Sequence, residues 1–239
     1  MLLEFSQAKK DLYSADFNII CDGSVIGNAF LSGNMSSVFA DWNIQLFGDV
    51  IRLRRIRAKQ ATAFVNGLTE DKPFGTMEII INGESTGVVF QGTHKKSFFR
   101  EYSVHHVIYN EKELFSLYPI GFGKEGSKSP VYLETGGKSL QVAQINKDST
   151  VYDDLHVFRC YVLEQKHAMT IVLFCALMYT MGCYRPGEKT IKGTKTTCSV
   201  TLEKELLSKY DPLFEQRVIS GLYPMLESTG FGPSEDKNR

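Results

Sequence analysis

From Ala168 to Tyr184 the chain carries no charged side chain, and this run follows a long series of β-like segments. On a helical wheel the run is apolar on every side, and such a helix is either buried in protein or lies in a membrane. Spanning a bilayer takes about 20 apolar residues, more than this run supplies without its flanks. The flanks argue against a span as well. Arg185, Lys189, Lys192 and Lys195 follow the run, and the positive-inside rule would keep that side in the cytoplasm. The whole β-like region would then have to be exported first. Met1–Phe5 is followed at once by Gln7, Lys9, Lys10 and Asp11, which does not read as a signal peptide. The expectation is a helix buried on all sides.

Something must surround such a helix. Ahead of it, short segments rich in β-branched and aromatic residues recur: Asp16–Cys21, Val25–Leu31, Ser37–Phe47, Val50–Arg57, Thr76–Ile81 and Thr86–Gln91. Ser97–Val104, His106–Tyr109, Leu114–Ile120, Val131–Leu133, Ser139–Ile145 and His156–Leu163 continue the series. Asp22-Gly23, Asn82-Gly83, Asn110-Glu111 and Gly136-Gly137 supply turn chemistry between them. Lys59–Lys72 breaks the rhythm and reads as a loop or short helix. A helix with its side chains is about 10–12 Å across, so a closed sheet that admits one needs more than about eight strands. The fold class expected is therefore mainly β: a roughly twelve-stranded closed β-barrel around a central buried hydrophobic helix, with a C-terminal helical extension.

One hairpin appears twice. Ile19-Ile20-Cys21-Asp22-Gly23-Ser24-Val25-Ile26-Gly27 is echoed by Ile79-Ile80-Ile81-Asn82-Gly83-Glu84-Ser85-Thr86-Gly87, and Phe30 and Phe90 keep the same offset. This suggests a duplicated β-meander. Residues 1–185 form the barrel with helix 168–184, and 186–227 a linker and amphipathic helical extension. Within it Leu202, Leu206, Leu207, Tyr210, Leu213, Phe214 and Val218 recur at helical spacing. Asp211 is expected as an N-cap with Pro212 at the first helical position, and 228–239 as a disordered tail.

Element order, the Gly23/Gly27 and Gly83/Gly87 hairpins and Ala168–Tyr184 together resemble the Tubby C-terminal superfamily, which includes the LURP-one-related proteins and the phospholipid scramblases. The resemblance covers roughly residues 1–185. It implies a barrel threaded by its helix and a non-enzymatic module that recognises anionic phospholipid headgroups or tethers to a membrane. Two departures stand out: some fifty residues follow the helix here, and no headgroup-binding Lys/Arg pair or acidic calcium segment of the family falls on particular positions.

Other chemistry is weakly supported. Gly83-Glu84-Ser85-Thr86-Gly87 fits a GxSxG nucleophile elbow, but strand-like Val88-Val89-Phe90 follows where a helix is required. Gly121-Phe122-Gly123-Lys124-Glu125-Gly126 fits GxGxxG, yet Pro130 and Val131–Leu133 replace the helix that would hold a pyrophosphate. His105 and His106 would face opposite sides of a strand, and His156 and His167 have no ligand spacing, so no metal or other cofactor is expected. Twenty-seven basic residues balance twenty-seven acidic ones, which gives no global field for nucleic acid. The five cysteines form no CxxC pair, which fits a reducing, cytoplasmic setting; the resemblance adds that the protein is peripheral at a membrane. The densest positive cluster is Arg52, Arg54, Arg55, Arg57 and Lys59, with His94-Lys95-Lys96 and the Lys124 and Lys128 loop beside it in reserve. Arg52 and Arg54 share one strand face while Ile51, Leu53 and Ile56 pack inward. Arg52, Arg54, Arg57, Lys124 and Lys128 are the candidate residues for an anionic headgroup. The alternative is a protein-interaction scaffold that docks a partner through Leu202–Leu222.

Overall fold

A computed structural model describes residues 1–11, 14–33, 41–57, 60, 64–65, 67–71, 73–97, 100–110, 112–118, 120–121, 127–147, 155–180 and 209–221. Their strands are β1 (Leu2–Lys10), β2 (Ser14–Cys21), β3 (Ser24–Ser32), β4 (Asp41–Leu46), β5 (Asp49–Arg55) and β6 (Phe74–Ile81). β7 (Glu84–Ser97), β8 (Arg100–Tyr109), β9 (Glu113–Leu117), β10 (Ile120–Gly121), β11 (Ser127–Thr135), β12 (Lys138–Lys147) and β13 (Val157–Val162) follow. Helix α1 is Ala168–Thr180, entered through a 3₁₀ turn at Gln165–His167, and α2 is Phe214–Ser220.

Sequence neighbours pair antiparallel all along the chain except β9 with β10, and β1 pairs with β13. β11 bonds β12 on one side and β9 on the other, with the short β10 continuing the line of β9. The result is a closed 12-strand antiparallel barrel. Closure removes the unpaired edges that would otherwise template aggregation.

Alternation decides what fills it. Leu3, Phe5 and Gln7 of β1, Trp42, Ile44 and Leu46 of β4, and Ile51 and Leu53 of β5 point inward, with their neighbours outward. One apolar cluster takes in side chains from β1 to β9, β11, β12 and β13 together with α1 from Ala168 to Tyr179. The helix is thus walled on all sides, as its all-round apolar surface requires. Its polar groups are satisfied near its C-terminal end. Trp42 Nε1 donates to Thr180 Oγ1 at 2.8 Å and Gln7 Nε2 to the Tyr179 hydroxyl at 3.1 Å. Cys160 and Cys175 fill core space with their thiols 3.7 Å apart. No helix among the described residues is long and apolar enough to cross a membrane.

The tight turns gather at the end where α1 enters: Asp22-Gly23, Phe47-Gly48, Asn82-Gly83, Asn110 and Gly136-Gly137, all at positive φ. The longer connections gather at the opposite end, where α1 finishes. The repeated hairpin is built twice in the same way. A bulge follows Ile19 and Ile79, and Leu2 and Val50 each donate a backbone N–H to the turn side chain, Asp22 Oδ1 and Asn82 Oδ1, at 3.0 Å. Gly27 and Gly87 are obligatory for one reason: a Cβ there would lie 2.1 Å from Gln45 O or 2.0 Å from Ile108 O.

Four expectations change. Leu2–Lys10 is a strand that the sequence reading passed over, and Ser97–Val104 and His106–Tyr109 join into the single strand β8. Ile56 does not pack inward: the chain leaves the barrel line after Arg55, and Ile56 joins Val65, Val88, Phe90, Ile108 and Leu114 in a cluster outside the wall. α2 starts at Phe214 rather than at Pro212, with Leu213 as its N-cap, and Asp211 Oδ1 accepts the Leu213 N–H at 2.9 Å in the turn ahead of the helix. Residues 181–184 and the Thr190–Thr197, Leu202–Ser208 and 228–239 segments lie outside the described residues.

Candidate functional site

The barrel interior is occupied by side chains and a helix, so a ligand has to be met on the outer wall or rim. The candidate cations fall into two stations there. On β5, Arg52 and Arg54 point outward between inward Ile51 and Leu53. Each already has an acidic partner from an adjoining strand: Arg52 Nη2 lies 2.6 Å from Asp41 Oδ2, and Arg54 Nη2 lies 2.6 Å from Glu78 Oε2. Both arginines are about half exposed, where such pairs are worth roughly 0–1 kcal/mol. Arg57 is exposed beyond the end of β5. Glu78 also accepts from Ser85 Oγ at 2.7 Å. Burial alone would raise the Glu78 carboxyl, but Ser85 and Arg54 outweigh that and hold it below its ordinary value.

Lys128 is the second station, on β11. β6, β7, β8 and β9 stand between β5 and β11 on the shorter way round, so the two stations are nearly opposite and cannot share one headgroup. Both lie toward the end with the longer connections. Lys124 lies outside the described residues, as do Lys59 and the side chains of His94, Lys95 and Lys96.

Around Lys128 the wall holds an anion. α2 lies against β13 with Phe214 fully buried, and this delivers the carboxylate of Glu215 to the outer face of β11–β13. Lys128 Nζ is 2.8 Å from Glu215 Oε1, and Gln144 Nε2 donates to the same oxygen at 2.5 Å. Asn146 also acts on the carboxylate, as does Tyr161. Burial would push the Glu215 carboxyl up; hydrogen bonds from Lys128, Asn146 and Gln144 together with the Lys128 charge overcome it and hold the group below the usual carboxylate range. Burial, then the nearby Glu215 charge, raises the Tyr161 hydroxyl.

Gln144 reveals how the set is arranged. It is 1% exposed, and its Nε2 serves both Asn146 Oδ1, at 3.0 Å, and Glu215. Its Oε1 is buried with no hydrogen-bond partner. Turning the amide over would give Oε1 a new position but aim it at a carboxylate. With Glu215 seated, the amide donates to both neighbours and its own oxygen is left a buried acceptor without a partner. The segment before α2 is tied down as well, by Asp211 N–H to Gln141 Oε1 at 3.2 Å and Lys209 Nζ to Ser139 Oγ at 3.2 Å.

Sequence reasoning singled out Lys128 but none of Gln144, Asn146, Tyr161 and Glu215. No spacing rule links residues on separate strands and a distant helix.

A second polar group lies on the outer face of β7–β9. His106 Nε2 is 2.8 Å from Asp71 Oδ2, and His106 Nδ1 is 3.1 Å from Ser116 Oγ. The residue types are those of a hydrolytic triad, but Ser116 is 2% exposed, and Phe64, Val65 and Leu68 pack on the same wall. Gly92 leaves the room: a Cβ there would stand 2.8 Å from the Asp71 Cβ. The group acts as a clamp that fastens the β5–β6 connection to the barrel.

The other motifs resolve plainly. Ser85 sits in the β6–β7 hairpin and strand β7 continues past it, so no elbow forms. Gly121 pairs with Ser127 across β10 and β11, so a strand and not a helix follows the GxGxxG sequence. His105 faces the core and His106 the outer wall. Among the described residues no group of His, Cys, Asp and Glu has the makings of a metal site. Comparison of the chain with protein-family models, curated proteins and solved structures finds no match.

Proposed function

We propose that the protein is a non-enzymatic module of Tubby-like kind that recognises anionic phospholipid headgroups and tethers at a membrane surface on the cytoplasmic side. The observation that carries this reading is the donor set of Lys128, Gln144, Asn146 and Tyr161, which already holds a carboxylate on the outer wall. A phosphate offers the same negative oxygens to the same donors, with more charge. The filled barrel leaves the outer surface as the place of binding. The β5 arginines face the same end of the barrel, so a membrane, unlike one small headgroup, could touch both stations. Electrostatic attraction of this kind is worth about 1 kcal/mol per basic residue near an anionic leaflet.

Flotation with neutral and anionic vesicles tests the reading: recovery on anionic vesicles only is expected, and equal recovery on both would sink it. A protein-interaction scaffold is the second reading. It is favoured by Ile219, 70% exposed on α2, and by half-exposed Leu213 just ahead of that helix. Deleting residues 200–239 abolishes partner capture on that reading and spares anionic-vesicle binding on the first.

A further inference from the structure

We propose that Glu215 is a tethered stand-in for the ligand: the C-terminal segment plugs an anion site on β11–β13, and a phosphate group on a membrane lipid must displace it. The proposal rests on the headgroup reading above and adds how that site is kept closed.

Two features of one cluster point to a built site rather than a chance surface pair. The first is the convergence of an ammonium and an amide on one carboxylate oxygen, with Asn146 and Tyr161 acting on the same group. The second is the buried Gln144, whose amide is committed to donating while its own oxygen has no partner. Exposed lysines that pair opportunistically have no such support. Among the described residues, Phe214 is the fully buried anchor of the occupant, and Asp211 to Gln141, Lys209 to Ser139 and the Glu215 contacts tie it to the wall. An element fastened in this way can come off the wall while the barrel stays closed, because no strand pairing depends on it.

The physical consequence is competition. A tethered carboxylate competes as an intramolecular ligand, so an external anion works against its effective concentration. An external anion therefore binds with its intrinsic affinity reduced by the fraction of molecules in which the plug is off. A single carboxylate is a weaker partner than a dianionic phosphate, so the plug delays binding without preventing it. Lys128, which the plug neutralises, is also the cation on which the ligand depends.

The test compares the full chain, Glu215→Gln and the double variant Glu215→Gln/Lys128→Ala, all retaining α2. Each is assayed by flotation on vesicles of neutral lipid, of neutral lipid with phosphatidylserine, and of neutral lipid with phosphatidylinositol bisphosphate. Inorganic phosphate is titrated in parallel and followed by the tyrosine fluorescence of the chain. If the plug is closed in ~90% of molecules, Glu215→Gln tightens binding about tenfold, and Lys128→Ala removes the gain. Tightening toward bisphosphate vesicles but not toward free phosphate identifies the lipid as the source; tightening toward both identifies phosphate chemistry as sufficient. Equal anionic-vesicle binding by the full chain and Glu215→Gln overturns the plug and leaves the headgroup reading standing. Absence of anionic-vesicle binding in every variant overturns the headgroup reading and the plug with it. Gain in Glu215→Gln that survives Lys128→Ala places the ligand elsewhere and overturns the plug.

Discussion

Four successive residues of α1 offer a test of the barrel's interior. At 100° per residue, Ile171, Val172, Leu173 and Phe174 sample the whole circumference of the helix, and all four are completely buried. Alanine at each removes apolar atoms from a site walled by strands. Ile171→Ala and Leu173→Ala should each cost about 2–5 kcal/mol and Phe174→Ala about 3–5 kcal/mol. Val172→Ala, which loses less volume, should cost roughly 2 kcal/mol at about 0.8 kcal/mol per buried carbon. For a chain of this size each kcal/mol lowers Tm by about 2–4 °C, so Leu173→Ala should fall by roughly 4–20 °C. Ile219→Ala, on the exposed side of α2, serves as control and should stay within about 0.5 kcal/mol. Urea unfolding followed by Trp42 fluorescence reads the series, because the indole sits in the same cluster. A surface helix would show one tolerant direction. If any of the four interior changes costs less than ~1 kcal/mol while the others are large, α1 has an open face and the enclosing barrel is wrong.

Other expectations follow from close contacts and buried rings. Gly87→Ala places a Cβ 2.0 Å from Ile108 O, a clash with backbone that should cost more than about 2 kcal/mol; an unchanged urea midpoint would contradict the close strand approach. Burial, with His106 adding to it, lowers His105 from 6.5 to about 3. Below about 6.5 the unfolded chain takes up a proton that the folded one refuses, so stability falls as pH drops from 6.5 toward 3, by up to ~1.4 kcal/mol per unit. His105→Leu should flatten that slope, and an unchanged slope would show that His105 is not the group responsible. Ser116→Ala leaves His106 Nδ1 without its buried partner and should cost about 1–3 kcal/mol. It should also speed proteolysis within residues 56–71, and unaltered cleavage would count against the clamp.

The architecture was readable because period and composition are local signals. Alternation exposed most strands, Asx-Gly dipeptides marked hairpins, and a run without charge announced the helix. β1 escaped notice because apolar Leu2 and Ala8 fall on its outward side and polar Gln7 on its inward side, in a stretch that ends in Lys9 and Lys10. The outward pairing of Arg52 with Arg54 was likewise a matter of strand period. Ile56 broke the pattern because β5 stops at Arg55, a boundary that no single residue signals. The site was less readable. Lys128 stood out as a cation in a glycine-rich loop, but its meaning depends on β12, β13 and a segment almost ninety positions further on. That the β5 and β11 stations lie across the barrel from one another follows only from closure, which sets distances that sequence order does not contain.

The central claim is that an anion seats between Lys128 and Gln144, and side-chain amide NMR addresses it directly. Soluble inositol bisphosphate would be titrated into ¹⁵N-labelled Glu215→Gln protein while the Gln144 and Asn146 NH₂ resonances are followed. The account predicts that these signals shift together, saturably, and that Lys128→Ala abolishes the shift. Saturable shifts confined to β5 around Arg52 and Arg54, with Gln144 and Asn146 unmoved, would contradict it.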